Sequence, residues 1–298
     1  MLIVILGDKG SLGSVLSLFF SEKHNVVGID LDKLDLSRYD DYEEEIKKLF
    51  DFDLSNTVII NCVGIMGAKE SEVDPSKYYE INGVLPYKLK QFFASNIKNH
   101  LFIQISSETV YGKCKYDNQI FSEDDLCLPQ HNYGLSKLIS EHLLKSADNT
   151  RGATIILRTP VLLFKAQKYP NALSQIYDEI NTKGSATLFG NGEHKRQYTI
   201  AEEFAMDLEK LLDNWITNPK KFAPCEMINM PGIAISTKEF TDVLAKSHNL
   251  EFEVLLRDNA SSAFSLLSSS NKFSKICNTI RMHGSVKHLV EWVVENNG

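Results

Sequence analysis

The sequence lacks the features that mark several classes of protein. No apolar run approaches the ~20 residues of a bilayer-spanning helix, and the apolar start lacks the basic segment of a secretory signal before Gly7 and Asp8. The five cysteines are scattered without paired spacing, which argues against a disulfide framework and against a zinc site. We therefore expect a cytoplasmic protein without a metal ion or a membrane partner.

An excess of basic residues is missing as well. The chain has 32 Lys and Arg against 39 Asp and Glu, a formal net charge of −7. A nucleic-acid surface needs clustered Lys and Arg, so a nucleic-acid partner is not expected. A local basic pocket for a diphosphate is still compatible with this charge. Low-complexity tracts are also absent, and a hydrophobic content of 43% is typical of a folded globular chain.

What the sequence does have is an alternation of strand and helix patterns. Short apolar runs predict buried strands at residues 2–6, 26–30, 57–63, 101–105 and 154–157. Helix patterns lie between them at residues 11–20, 41–50, 76–94 and 133–146. This alternation predicts an α/β fold with a doubly wound parallel sheet of the Rossmann type.

The second half of the chain is less regular. It predicts helices at residues 173–183 and 201–215, a strand at 227–230, a helix capped by Ser236, and a Ser-rich loop at 260–270. We expect one domain over 1–164, which also receives part of 197–232, and a smaller mixed α/β domain mainly over 165–298.

A glycine pattern lies between the first predicted strand and the first predicted helix. Gly7 permits a tight turn, Gly10 lets the backbone approach a pyrophosphate, and Gly13 lets the helix pack closely on the sheet. The free N–H groups of the helix start, at Ser11 and Leu12, would hold the phosphates. The first domain is therefore predicted to bind a dinucleotide.

The second predicted strand ends at Asp30. Its carboxylate is placed to accept hydrogen bonds from the adenosine ribose and would repel a 2′-phosphate, which favours NAD over NADP. Lys9 in the turn would favour NADP instead if it contacted such a phosphate, but a solvated loop lysine is the favoured interpretation. NAD is the predicted cofactor.

Two further segments are predicted to line the cofactor. Asp35 and Leu36 follow the second strand and would flank the adenine. Cys62, Val63 and Gly64 end the third strand, where small residues let the backbone approach a dinucleotide, although Cys62 and Val63 would serve sheet packing equally well.

The strongest chemical pattern is a phenol and an amine four residues apart. Tyr133 and Lys137 share one face of a predicted helix, and the segment 106–112 (Ser-Ser-Glu-Thr-Val-Tyr-Gly) follows the strand at 101–105. Together with the glycine turn, and with Gly190-Asn191-Gly192 followed by Arg196, these patterns resemble the extended short-chain dehydrogenase/reductase family. That family includes NAD-dependent nucleotide-sugar epimerases, dehydratases and reductases.

The resemblance implies roles for individual residues. Ser107, Tyr133 and Lys137 would be catalytic. Tyr133, activated by Lys137 and the nicotinamide, would move the proton of a sugar hydroxyl while hydride passes between the sugar carbon and the nicotinamide. Lys137 would also bind the nicotinamide ribose, and Ser107 the reacting oxygen. Asn82 and Pro160 are further expected cofactor contacts; the alternative for Asn82 is a polar helix residue facing water.

The substrate side is less specific. Arg196 is expected to grip the diphosphate of a nucleotide-sugar, with a surface arginine as the alternative. Glu108 lies where the family's dehydratases carry a catalytic acid, but Thr109 replaces their second acid, so a solvated or substrate-orienting role is the alternative. The stretch 158–164 and the connection at 34–37 are more similar to dTDP-4-dehydrorhamnose reductases.

These observations predict an NAD-dependent epimerase or dehydratase of a nucleotide-sugar, acting through a transient ketone. The alternatives are an NAD(P)H-dependent reductase of a keto-deoxysugar and a non-catalytic dinucleotide sensor. The family also implies a homodimer formed through the helices at 76–94 and 133–146.

Overall fold

The computed structural model describes most of the chain. The described ranges are residues 1–30, 57–97, 99–116, 119–147, 152–165, 171–258, 264–278 and 284–297. The helix predicted at 41–50, and the expected cofactor contacts Asp35 and Leu36, lie outside them.

Strands and helices alternate through the first half as predicted. The strands are β1 (Leu2–Leu6), β2 (Asn25–Ile29), β3 (Val58–Asn61), β4 (His100–Ser107), β5 (Ile120–Phe121), β6 (Gly152–Thr159), β7 (Val161–Leu163), β8 (Ser185–Phe189), β9 (Lys195–Ile200), β10 (Cys225–Asn229), β11 (Ile233–Ser236), β12 (Glu253–Arg257) and β13 (Leu267–Ser268). The helices are α1 (Ser11–Ser21), α2 (Ala68–Val73), α3 (Pro75–Tyr78), α4 (Leu85–Asn96), α5 (Asn132–Ser146), α6 (Ala172–Lys183), α7 (Ala201–Thr217), α8 (Thr237–His248), α9 (Asn271–Cys277) and α10 (Val286–Asn297).

The main sheet has six strands in the order β10-β6-β4-β3-β1-β2, and every neighbouring pair is parallel. Successive side chains of a strand point to opposite faces, so β1 supplies apolar groups to both. Ile3 and Ile5 pack with α1 and α7 in one core, while Val4 and Leu6 pack with α4 in the other. Helices therefore cover both faces, and the predicted doubly wound α/β fold is confirmed.

The strand order fixes where a ligand can enter. The chain leaves β1 toward β2 on one side and then returns to place β3 on the other. In sheets of this kind ligands bind outside the carboxyl ends of the strands at this reversal. The glycine turn and the segment after β3 both lie at that edge.

Smaller sheets complete the second half. β9 pairs parallel with β7 and antiparallel with β11, while β8 pairs with β12. A separate apolar core joins α6, α8 and α10 to these strands. The chain also returns to the main sheet, where β10 pairs with β6. No helix in the described ranges is both long and apolar enough to cross a membrane.

Local differences from the sequence predictions have physical reasons. The predicted helix at 76–94 is interrupted by a π-helical stretch, Tyr79–Val84, between α3 and α4. The predicted loop at 260–270 is wrong at β13, which pairs with β5 from a distant part of the chain, and such pairing leaves no local periodicity. The predicted cap is confirmed, because Ser236 Oγ accepts a hydrogen bond from the Glu239 N–H at 3.0 Å.

Candidate active site

The glycine turn is tightly folded against the sheet. Gly7 has a φ of +80°, and its N–H donates to the Ile29 carbonyl at 2.7 Å. A Cβ at Gly13 would lie 2.0 Å from the Gly7 carbonyl oxygen, and a Cβ at Gly7 would lie 3.1 Å from the Val63 nitrogen. A side chain at Gly7 would push the turn away from the segment after β3, and a side chain at Gly13 would push the turn away from α1, so both positions need glycine.

The start of α1 is open to a ligand. Gly10 is its N-cap, and within the described part of the chain no side chain caps this helix. The N–H groups at Ser11 and Leu12 therefore stand at the positive end of the helix dipole without a side-chain acceptor at the cap. This arrangement fits the pyrophosphate of a dinucleotide.

Asp30 lies on the far side of the same turn. Its Oδ2 accepts a hydrogen bond from the Lys9 N–H at 2.8 Å, which holds the carboxylate at the rim of the turn. The Asp8 carboxylate fills the space over Gly28, where a Cβ would come within 1.9 Å of Asp8 Oδ2. Two acidic side chains thus lie beside the end of β2, where a 2′-phosphate would be repelled.

Ser107 and Tyr133 meet at the end of β4. The Ser107 hydroxyl lies close enough to the Tyr133 phenol to favour the phenolate form by hydrogen bonding. Ser107 Oγ also accepts hydrogen bonds from the Thr109 N–H at 3.2 Å and from Thr109 Oγ1 at 2.9 Å. Burial raises the pKa of Tyr133 to about 12, and the bond to Ser107 acts against that rise. The ring of Tyr78 packs edge-on against the ring of Tyr133, with 6.5 Å between the two ring centres.

Lys137 lies one helical turn after Tyr133. Its Nζ is 5.9 Å from the centre of the Tyr133 ring and donates a hydrogen bond to the Ile105 carbonyl at 3.1 Å. Burial lowers the pKa of Lys137 to about 8, while Cys62 and Glu141 act in the opposite direction. The amine should therefore lose its proton near pH 8, whereas a solvated lysine keeps its proton up to about pH 10.

The segment after β3 connects this pair to the glycine turn. A Cβ at Gly64 would lie 3.2 Å from Lys137 Nζ, so backbone without a side chain faces the amine. Burial raises the pKa of Cys62 to about 12, with Lys137 opposing the rise. Cys62 and Val63 in turn border Gly7, as the close approach of the turn shows.

Asn82 is fully buried, so the alternative of a helix residue facing water is wrong. Its Oδ1 accepts from the Ile65 N–H and its Nδ2 donates to the Ile65 carbonyl, both at 2.9 Å. Nδ2 also donates to Ser136 Oγ at 3.1 Å. Asn82 thereby fixes the segment after β3 to the helix that carries Tyr133.

Glu108 is buried, which rules out the solvated alternative. Its Oε2 accepts no hydrogen bond from the described residues. Burial raises the pKa of Glu108 to about 8, and the charge of Arg196 acts against the rise. The carboxyl group is therefore largely protonated at pH 7 and can donate a proton or a hydrogen bond.

Arg196 belongs to the same corner of the site. Its guanidinium lies 4.2 Å from the centre of the Phe264 ring, and burial lowers its pKa while Glu108 and Tyr198 raise it. Pro160, between β6 and β7, is buried against Gly232, where a Cβ would come within 3.0 Å of the proline ring.

The sequence reasoning missed a buried network behind these residues. It consists of Ser106, Tyr111, Glu141, Arg158 and Asn229, joined by hydrogen bonds. Glu141 follows Lys137 by four residues and so shares its helix face, which is the one signal that could have found it. In the described ranges no group of three His, Cys, Asp or Glu could hold a metal ion.

Comparison with known proteins gives one family match. Residues 3–222 match the model of the NAD dependent epimerase/dehydratase family. No curated protein sequence matches the chain significantly.

Three solved structures illustrate the likeness in fold. UDP-glucuronic acid 4-epimerase from Bacillus cereus, in complex with UDP-glucuronic acid and NAD, is 21% identical, with 100% of this chain and 99% of that chain covered and a TM-score of 0.79. RMD from Pseudomonas aeruginosa, complexed with NADPH, is 17% identical over 99% and 98% of the two chains, with a TM-score of 0.80. A dTDP-4-dehydrorhamnose reductase from Clostridium acetobutylicum is 17% identical over 99% of each chain, with a TM-score of 0.79.

Proposed function

The chain belongs to the NAD-dependent epimerase/dehydratase family, and from that premise we propose that it oxidises a ring hydroxyl of a nucleotide-sugar to a transient ketone. The observation that carries the proposal is the position of the Tyr133 phenol beside the Ser107 hydroxyl, with the Lys137 amine 5.9 Å from the centre of the Tyr133 ring and facing Gly64. A sugar hydroxyl placed between the two oxygens would be held by Ser107 and deprotonated by Tyr133.

The glycine turn, Asp30 and Lys137 would hold NAD, which would supply the hydride acceptor and donor for the reaction when bound. The start of α1 would bind the pyrophosphate, and Asp30 the adenosine ribose. Lys137 would bind the nicotinamide ribose, and Gly64, which has no side chain, would leave room for the ribose beside the amine. Two acids beside the end of β2 favour NAD over NADP.

We favour epimerisation over dehydration as the reaction that follows formation of the ketone. Elimination of water next to a ketone needs one group to remove a ring proton and another to protonate the leaving hydroxyl. Glu108 supplies one carboxyl group, while its neighbour Thr109 is committed to Ser107 at 2.9 Å. An epimerase needs neither group, because Tyr133 serves both the oxidation and the reduction. Glu108 and Arg196 would then orient the sugar and its diphosphate.

We propose that the two parts of the chain, each with its own apolar core, bind different ligands. Residues 1–164, joined by α7 and β10, would bind the cofactor. The rest of the chain, from residue 165, would bind the sugar and the nucleotide.

The homodimer through the helices at 76–94 and 133–146 stays a prediction. Val84 and Leu135 on these segments are both 38% exposed, and light scattering after size exclusion would measure the mass.

The test combines cofactor binding with one substitution. NAD at a hundred times its Kd should stabilise the protein by about 2.7 kcal/mol in thermal unfolding. Tyr133→Phe should still bind NAD, yet turn over a nucleotide-sugar roughly 10²- to 10⁴-fold more slowly. Tyr177→Phe, in the second core, is the matched control and should retain turnover.

Mass spectrometry of ligands that copurify with the protein selects the nucleotide-sugar for that assay. Product with the substrate's mass supports the epimerase, and a mass lower by one water indicates a dehydratase. Stoichiometric loss of reduced-nicotinamide absorbance would instead show a net reductase. Absence of any stabilisation by NAD or NADP would overturn the proposal altogether.

A further inference from the structure

Glu141 occupies a position that neither the motifs nor the proposed chemistry uses. It lies on α5 one turn after Lys137 and is 2% exposed. Its Oε1 accepts hydrogen bonds from Ser106 Oγ at 2.6 Å and from Arg158 Nε at 3.1 Å. Its Oε2 accepts from Arg158 Nη2 at 2.7 Å, so the carboxylate is fully engaged inside the protein.

These contacts attach the catalytic helix to the catalytic strand. Ser106 precedes Ser107 on β4, and Arg158 lies directly opposite Ser106 on the neighbouring strand β6. Lys137 contacts the same strand one residue earlier, through the Ile105 carbonyl. Glu141 and Lys137 are therefore two successive attachment points of one helix, and together they fix the height of Tyr133 relative to Ser107.

The charge of Glu141 also has a specific target. Three ionisable side chains face Lys137 in the described part of the chain, namely Cys62 from the end of β3 and, from its own helix, Tyr133 and Glu141. Burial raises the pKa values of Cys62 and Tyr133 to about 12, so both are neutral at pH 7. Of these three described groups, Glu141 is then the one that carries a negative charge, and it supports the ammonium form of Lys137 against burial.

The other charged or titratable groups near this corner act elsewhere. Arg158 on β6 forms an ion pair with Glu141, and it also donates to Tyr111 Oη at 2.8 Å. Tyr78 on α3 faces the Tyr133 ring. Glu72 on α2 accepts from the start of α5 at Asn132, and Glu108 faces Arg196.

We propose that Glu141 is a positioning residue that keeps Lys137 protonated and anchored, and thereby sets the upper pH limit of NAD binding. The inference rests on the proposed function, because it takes Lys137 to bind the nicotinamide ribose. The affinity for NAD should then fall as pH rises through the titration of Lys137, near pH 8.

The experiment measures the Kd of NAD by calorimetry from pH 6 to pH 10. Glu141→Gln keeps the size of the side chain and can still accept from Ser106, but it removes the charge. The midpoint of the affinity loss should move about one pH unit lower. Charges about 6 Å apart interact by about two pK units at an effective dielectric of about 20, and Arg158 offsets part of that.

A second variant gives the opposite sign. Arg158→Gln leaves Glu141 as an uncompensated negative charge beside Lys137, so the midpoint should move to higher pH. Tyr111→Phe, which removes one acceptor of Arg158 without changing any charge, is the matched control and should keep the wild-type midpoint. Thermal unfolding identifies a variant that does not fold, and the other variant then decides alone.

Opposite shifts support the inference, because general loosening of the core would not change direction with the sign of the removed charge. Unshifted midpoints, or midpoints that move the same way in both variants, overturn it while leaving the proposed function standing. If the wild-type protein binds no NAD at any pH, the proposed function itself has failed, and the two failures are thus distinguishable.

Discussion

Replacing Gly13 with alanine tests the glycine turn at its tightest point. The added Cβ would lie 2.0 Å from the Gly7 carbonyl oxygen and 2.8 Å from the Asp8 Cα. Both obstacles are backbone atoms of the turn itself, so no side-chain rotation can relieve the overlap. The turn must move away from α1, and it would carry the predicted pyrophosphate site with it.

The size of the effect follows from the overlap. Overpacking by one methyl group typically costs about 1–3 kcal/mol. If the same displacement is felt by the ligand, at about 1.4 kcal/mol per factor of ten, the Kd for NAD should rise about 10- to 100-fold. Calorimetry measures that Kd, and thermal unfolding without NAD measures the stability lost in the free protein.

Gly184→Ala is the matched control. Gly184 ends α6 with a φ of +66°, and a Cβ there would meet nothing within 4 Å. Its substitution should cost about 1 kcal/mol of backbone strain without changing NAD affinity, because α6 belongs to the second core. A Gly13→Ala protein that binds NAD as tightly as the wild type would refute the assignment of the turn.

Two further predictions concern charge. Asp30→Ala should weaken NAD binding about tenfold, since hydrogen bonds to a charged group contribute about 1.5–3 kcal/mol. The same substitution should improve NADP binding. An unchanged ratio of the two Kd values would contradict the role of Asp30. Glu108→Gln should remove a pH dependence of stability. Because the pKa of Glu108 is raised to about 8, the stability its proton provides is complete below the unfolded pKa of about 4.3 and is lost as pH rises to 8. Between pH 6 and pH 9 the wild type should lose about 2.5 kcal/mol more than the variant in denaturant unfolding, and parallel curves would show that Glu108 is not buried as described.

The sequence predicts this fold well where the signals are local. The buried strands of the first half, the glycine turn and the helix with Tyr133 and Lys137 are each encoded by a few neighbouring residues, and the expected family is confirmed. The π-helical stretch at Tyr79–Val84 contains Asn82, whose amide is held by the backbone of Ile65. That contact comes from another segment of the chain, so no local pattern predicts it.

The parts of the site that depend on long-range contacts were less visible. The sequence leaves Glu108 open between a catalytic acid and a solvated or substrate-orienting residue. The structure buries its carboxyl group near Arg196 from the second half of the chain. The same holds for Arg158, which has no local partner and meets Glu141 only when β4, β6 and α5 are assembled. Burial of a polar residue is a property of its neighbours in space, and periodicity does not encode it.

The protonation states of Tyr133 and Lys137 bear on the proposed need for a bound cofactor. Burial raises the pKa of Tyr133 to about 12 and lowers that of Lys137 to about 8, so the fold alone opposes both charged forms. Ser107 and Glu141 each offset part of this cost, but at pH 7 the phenol is still protonated. Tyr133 therefore needs one more positive charge nearby before it can act as a base, and the dry setting makes that charge count for more than it would in water. If Tyr133 is the base that we propose, it would remove a proton readily only with a cationic nicotinamide ring beside it, and proton transfer in the empty protein would be suppressed.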